Sequence, residues 1–193
     1  IDKLLLPGDE YGGVDQEALK RLMIRRTIKE HLDKELFFAA NGKQIKVLSL
    51  FFIDSVENYR QYDEEGNKVK GKYALMFEEE YQRLAKSTEY QSLFNEIDLE
   101  NDASEVHEGY FSIDKKGRVV DTAENTVANR DNAERAYNLI MKEKEKLLSF
   151  DIKLKFIFSH SALKEGWDNP NVFQICTLNE TSSVIKKRQE IGR

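Results

Sequence analysis

The chain has 193 residues, 40% of them hydrophobic, enough for one ordinary core with room for an insertion. Thirty Lys and Arg stand against 35 Asp and Glu, a net charge of −5, so no global field draws nucleic acid and any such contact needs a local patch. A single cysteine excludes an internal disulfide and argues against a zinc cluster.

No apolar run approaches the roughly 20 residues that span a bilayer, and no secretory leader is visible. No membrane association and a reducing cytoplasm are therefore expected. The chain starts at Ile1 and helical signals run to Arg193 without a stop, so it is expected to be a piece of a longer protein.

In chain order, a glycine-containing loop (Pro7, Gly8, Gly12, Gly13) precedes a helix that begins near Asp15. Its apolar face is expected at Ala18, Leu22, Ile28, Leu32 and Leu36, with Lys20, Arg21, Arg25, Arg26 and Lys29 as a solvated face. Asn41-Gly42 ends it as a turn. Ile45 to Ile53 is almost continuously apolar and predicts a strand buried on both faces, as in the middle of a parallel sheet. Asp54 and Ser55 follow at its carboxyl end, where ligands bind in such sheets, or they cap a helix starting at Val56.

The stretch 61–129 is polar and reads as an insertion carrying a helix near Tyr73 to Lys86 and a short strand at Glu108 to Ile113. Asp131 and Glu134 form a capping box for a helix that keeps its spacing to Phe150. Two further strands are predicted at Leu154 to Phe158 and Val172 to Leu178, with a last helix from Ser182 or Ser183. Helix between strands predicts an α/β, three-layer domain with a mostly parallel sheet.

Gly66-x-x-x-x-Gly71-Lys72 approaches a phosphate-binding loop. Tyr73 stands where a Ser or Thr must supply the magnesium-binding hydroxyl, and no buried strand precedes it, so it reads as a decoy. The chain is not expected to hydrolyse ATP alone. Cys176 lies in an apolar run and reads as a small buried hydrophobe. His31 and His107 show no metal-ligand spacing and read as surface or satisfied-core histidines. Asp-x-Lys at Asp114 and Asp151 is too common to mark a nuclease site.

The informative stretch is Phe156 to Arg193: strand, a loop with Gly166-Trp167-Asp168-Asn169-Pro170, strand, then a helix ending Gln-x-x-Gly-Arg. Gly166 permits close backbone approach, Asp168 offers an acceptor and Pro170 fixes the exit, although an ordinary βα loop uses the same residues. Together these segments resemble motifs V and VI of superfamily 2 helicases. The wording ALKEGWDNPNVFQICTLNET and IKKRQEIGR is similar to the restriction (Res) subunits of type III restriction-modification enzymes, and LSLFFIDSVENYR fits their motif IV region.

That resemblance implies the second RecA-like lobe of a helicase-type motor, with the P-loop NTPase fold, spanning 1–193 around the 61–129 insertion. By position, Gly166 and Asp168 would face the ATP ribose, and Gln189 and Arg193 would act catalytically, Arg193 as an arginine finger. Ser55, His160 and Ser161 would contact the nucleic-acid backbone, although relatives carry Thr-Asp at the last two positions. ATP and Mg2+ would be held mainly by a first RecA-like lobe. Duplex DNA and a methyltransferase (modification) subunit would be the partners, and the whole a site-specific DNA endonuclease. Two other readings remain: a repair or remodelling helicase without nuclease, and a non-enzymatic α/β binding module.

Overall fold

A computed structural model describes residues 15–65, 67–94, 103–111, 138–160 and 169–178. Its centre is a four-stranded sheet built from β1 (Leu48–Phe52), β4 (His107–Phe111), β5 (Phe156–His160) and β6 (Val172–Thr177), in the order β4-β5-β1-β6. Every pairing in it is parallel. A two-stranded antiparallel hairpin, β2 (Arg60–Tyr62) and β3 (Lys68–Lys70), stands apart from this sheet. Two long helices, α1 (Gln16–Ala40) and α2 (Lys72–Ala85), pack on one face. A π-helical turn, Asn138–Lys142, and the one-turn α3 (Lys144–Leu147) cover the other. The α/β expectation is met.

β1 is buried along its whole length because both faces of the sheet are covered. The alternation of a strand sorts its side chains into two cores. Phe51 joins Phe156, Phe158, Cys176 and the helix residues Ile24, Ile28 and Phe77. Leu48, Leu50 and Phe52 join Ile157, Ile140 and Leu147 on the opposite side. Phe51 stacks on Phe158 at 4.5 Å, and Phe77 meets both Phe156 and Phe158 edge-on. Two elements inside 61–129, α2 and β4, belong to this body, and residues 112–129 lie outside the described ones.

Asp15 starts α1 by accepting the backbone N–H of Glu17 at 2.9 Å and Ala18 at 3.2 Å. Asn41 closes it, and Gly42 follows in the left-handed region at φ 65°. The buried face matches the expected one in part. Ile28 and Leu32 are buried as expected, but Leu22 is 55% exposed and Ala18 is exposed, whereas Ile24, Thr27 and His31 are buried. A 25-residue helix that touches both the sheet and α2 drifts around its axis, so no single stripe serves throughout.

The basic residues of α1 are not simply solvated either. Arg21 pairs with Glu79 and Glu80 of α2, Arg25 with Glu80, and Lys20 donates to the Leu178 carbonyl. A further difference lies at Val56, where the predicted helix is one 3-10 turn, Val56–Asn58, before β2.

A polar chain crosses the first core. The Ser49 hydroxyl donates to Gln174 Oε1 at 2.9 Å, so its oxygen accepts from His31 Nδ1 at 2.8 Å. His31 Nε2 then faces Glu35 Oε1 at 3.4 Å, and Lys155 pairs with the same carboxylate at 2.8 Å.

Burial alone would raise the Glu35 carboxyl, but His31 and Lys155 outweigh it and hold it down to about 2, against 4.5 in the open chain. Burial also pushes the His31 imidazole down from 6.5. Both depressed groups refuse protons that the unfolded chain accepts, so both make stability fall as pH falls. His31 begins to act below pH 6.5, and Glu35 acts between 4.5 and about 2. Urea unfolding across this range should show a loss of about 2 kcal/mol over the lower window, which Glu35→Gln flattens. An identical profile in wild type and variant would remove Glu35 from the acid response.

Candidate functional site at the carboxyl edge of the sheet

Adjacent parallel strands whose connections leave in opposite directions open a crevice at their carboxyl ends. β1 and β5 are such a pair. The chain leaving β1 runs to β4, beyond β5, while the chain leaving β5 runs to β6, on the far side of β1. Their register, Phe52 opposite Ser159 with Ile53 N donating to Ser159 O at 2.9 Å, brings Ile53 level with His160. The two sequence candidates Ser55 and His160 therefore stand at one crevice, Ser55 just past the end of β1 and His160 as the last residue of β5.

Asp54 and Ser55 divide the two roles foreseen for them. Asp54 Oδ1 accepts from Ser55 N at 2.9 Å and Asn58 Nδ2 at 2.6 Å, and its Oδ2 accepts from the Tyr73 hydroxyl at 3.1 Å. That carboxylate is committed to holding the 3-10 turn and the start of α2. Ser55 precedes the turn in an extended conformation, and its hydroxyl caps nothing. His160 is half-buried, and its imidazole has no hydrogen-bond partner among the described residues. The Ser159 hydroxyl, one residue before His160, is fully buried and has no hydrogen-bond partner among the described residues. Unsatisfied donors at a strand-end crevice are what a backbone phosphate or a sugar hydroxyl can use.

The other sequence candidates, Ser161, Gly166, Asp168, Gln189 and Arg193, lie outside the described residues, as does Trp167. The loop after β5 is described again at Asn169. Asn169 O accepts from Val172 N at 3.1 Å, and Asn171 Nδ2 donates to the Lys46 carbonyl at 2.7 Å, which anchors the loop exit beside the amino end of β1. Lys46 is itself buried and donates to the carbonyls of Leu147, Ser149 and Ile152, fixing α3 to the same end.

The near-miss to a phosphate loop is a hairpin. Asp63 accepts from Glu65 N and Asn67 N at its turn, and Gly71 serves close packing instead of phosphate binding. A Cβ there would come within 2.4 Å of the Glu57 carbonyl oxygen. Both core histidines are satisfied on Nδ1: His107 is bridged by Tyr59 at 2.8 Å and Glu78 at 3.0 Å, His31 as above. Sequence reasoning missed this Tyr59–His107–Glu78 chain because its members lie 48 and 29 residues apart, with no local spacing to betray them. Cys176 is buried as expected, and burial raises its thiol. Asp151 accepts the Ser149 hydroxyl and Lys153 pairs with Glu105. No described helix is long and apolar enough to cross a membrane.

No family model matches the chain. Curated proteins do. It is 41% identical over 183 residues to the Res subunit of the type III restriction-modification enzyme EcoPI of Escherichia phage P1. It is 40% identical over 184 residues to the EcoP15I Res subunit of Escherichia coli, and 37% over 213 residues to the StyLTI Res subunit of Salmonella typhimurium. These alignments take in 92%, 92% and 98% of this chain but only 17%, 17% and 20% of the relatives. Similarity at this level along nearly its whole length makes the chain a homologue of one segment of the type III restriction-modification Res subunits.

Proposed function

We propose that the chain is the second RecA-like lobe of an ATP-dependent motor that moves on duplex DNA, within a type III restriction endonuclease. The observation that carries this reading is the match to three Res subunits over 92–98% of the chain. The parallel sheet, with two uncommitted polar groups at the β1–β5 crevice, supports it. In this reading motif IV ends at Ser55, motif V spans His160 to Asp168, and motif VI ends at Arg193.

Ser55, His160 and Ser161 hold the nucleic-acid backbone, through hydroxyl and imidazole donors that carry no sequence information. Gly166 lets the backbone approach the nucleotide closely, and Asp168 accepts from the ribose hydroxyls. Gln189 orients and Arg193 neutralises charge at the γ-phosphoryl group. ATP supplies the free energy, and Mg2+ is held mainly by residues outside this segment. A first RecA-like lobe closes on this one when ATP is bound, because Arg193 reaches the γ-phosphoryl group only then. A modification subunit is the protein partner, the compartment is the cytoplasm, and the isolated segment is inactive.

The test uses the intact protein. ATP turnover should rise when duplex DNA is added, and Asp168→Ala should lower the stimulated rate at least about tenfold. Ser55→Ala should leave saturated turnover near wild type and raise the DNA concentration for half-stimulation about threefold. A wild-type protein indifferent to DNA would end the motor reading. Wild-type behaviour in both variants would remove these two positions from it.

A further inference from the structure

The β2–β3 hairpin sets three cations on one of its faces. Arg60 lies directly opposite Lys70 in the antiparallel register, and Lys68 follows two residues before Lys70 on the same side. Like charges facing across a hairpin repel, so this arrangement destabilises the hairpin unless something offsets it. Part of the offset is visible. Arg60 donates to Glu108 at 2.5 Å and Lys70 to Glu78 at 2.8 Å, while Glu78 also holds His107 at 3.0 Å. Both carboxylates are thereby committed.

Lys68 is left over: it has no carboxylate partner among the described residues, although it lines a cleft of about 240 Å³ with Arg60, Lys70, Glu78, His107 and Glu108. Partial loss of water against the cleft walls, and then the neighbouring Arg60 charge, push its ammonium below the usual lysine value, with the Glu108 charge opposing them. Lys68 is exposed at the rim of this cleft, and a cation held there beside a second cation is an arrangement an anion relieves. The guanidinium of Arg60 has donors beyond the one it gives Glu108, and Lys70 completes a three-sided arrangement.

We propose that the cleft between the β2–β3 hairpin, α2 and the outer edge of β4 is a binding site for a phosphate oxyanion, with Lys68 as the principal contact and Arg60 and Lys70 beside it. A phosphate group offers three acceptor oxygens to three donors, which a carboxylate cannot. The site lies by His107, at the amino end of β4, whereas Ser55 and His160 stand at the carboxyl edge. It stands whether or not the motor reading does. Its phosphate comes either from a nucleic-acid backbone or from a small phosphate compound.

Equilibrium dialysis of the intact protein against radiolabelled inorganic phosphate tests the site, comparing wild type with Lys68→Met and Lys68→Arg. The Met variant should bind about tenfold more weakly at this site, and the Arg variant within about threefold of wild type. Lys68→Gln repeats the comparison should Met disturb the hairpin, with urea unfolding midpoints confirming the fold. Duplex binding by fluorescence anisotropy across a salt series then separates the sources. Weaker binding with a salt slope smaller by about 1 in Lys68→Met identifies a nucleic-acid backbone phosphate. An unchanged slope with weakened inorganic phosphate binding identifies a small phosphate ligand. Equal phosphate binding by folded wild type, Met and Gln variants overturns the proposal.

Discussion

Arg193→Ala is expected to reduce DNA-stimulated ATP turnover of the intact protein by about a thousandfold. Charge builds on the γ-phosphoryl oxygens as the bond to the leaving group breaks, and a group placed for that moment stabilises the transition state more than the bound ground state. A guanidinium suits the task because it is permanently charged and presents a planar fork of donors. The loss should therefore fall on kcat, with the KM for ATP moving little.

Arg193→Lys retains the charge but not the fork, and should recover only part of the rate. Steady-state turnover at saturating duplex DNA, with the thermal midpoint of each variant as a control for folding, makes the measurement. A KM effect with intact kcat would demote Arg193 to a ground-state contact, and no effect would take it out of the mechanism.

Gly71→Val should have the largest effect on stability, about 4 kcal/mol or more. The reason is backbone against backbone. A Cβ at position 71 would sit 2.4 Å from the Glu57 carbonyl oxygen and 2.5 and 2.6 Å from the Asn58 carbonyl group. No rotamer change relieves a clash with main chain, so the 3-10 turn and the start of α2 would have to separate. Separation would break the hydrogen bond from Gly71 N to Tyr59 O, now 2.8 Å, and that from the Tyr73 hydroxyl to Asp54. It would also loosen the turn that positions Ser55. Chemical unfolding should show a midpoint shift with little change in slope. A loss under 1 kcal/mol would mean that the contact between the turn and α2 yields easily, and that the crevice at Ser55 does not depend on it.

Much of the local structure was legible from the residues alone. The run Ile45 to Ile53 announces a strand buried on both faces, because no water-facing alternation interrupts it, and β1 sits between β5 and β6. The start of α1 follows from the Asp15 side chain, and its end from the turn at Asn41-Gly42. Less legible was which face α1 buries, since Leu22 fits an apolar stripe yet faces solvent while the polar Thr27 and His31 are inside. His31 is buried because Ser49 of a distant strand satisfies it, which no periodicity counts, and Thr27 because its hydroxyl donates to the Met23 carbonyl one turn back. The candidate site was half legible. Asp54, Ser55 and His160 could be placed near strand ends, but only coordinates separate the committed Asp54 from the uncommitted Ser55.

The sequence by itself determined the elements and the class of fold, because helix caps and apolar runs act over a few residues and are written in adjacent letters. The tertiary structure alone decided the strand order β4-β5-β1-β6, and with it the placing of Ser55 and His160, 105 positions apart in the chain, at the ends of adjacent strands. It also decided that Glu108 and Glu78 are spent on Arg60 and Lys70, leaving Lys68 with no carboxylate at ion-pair distance among the described residues. Such outcomes depend on which surfaces close against each other after long loops are formed, and that balance of burial against chain entropy leaves no short-range mark.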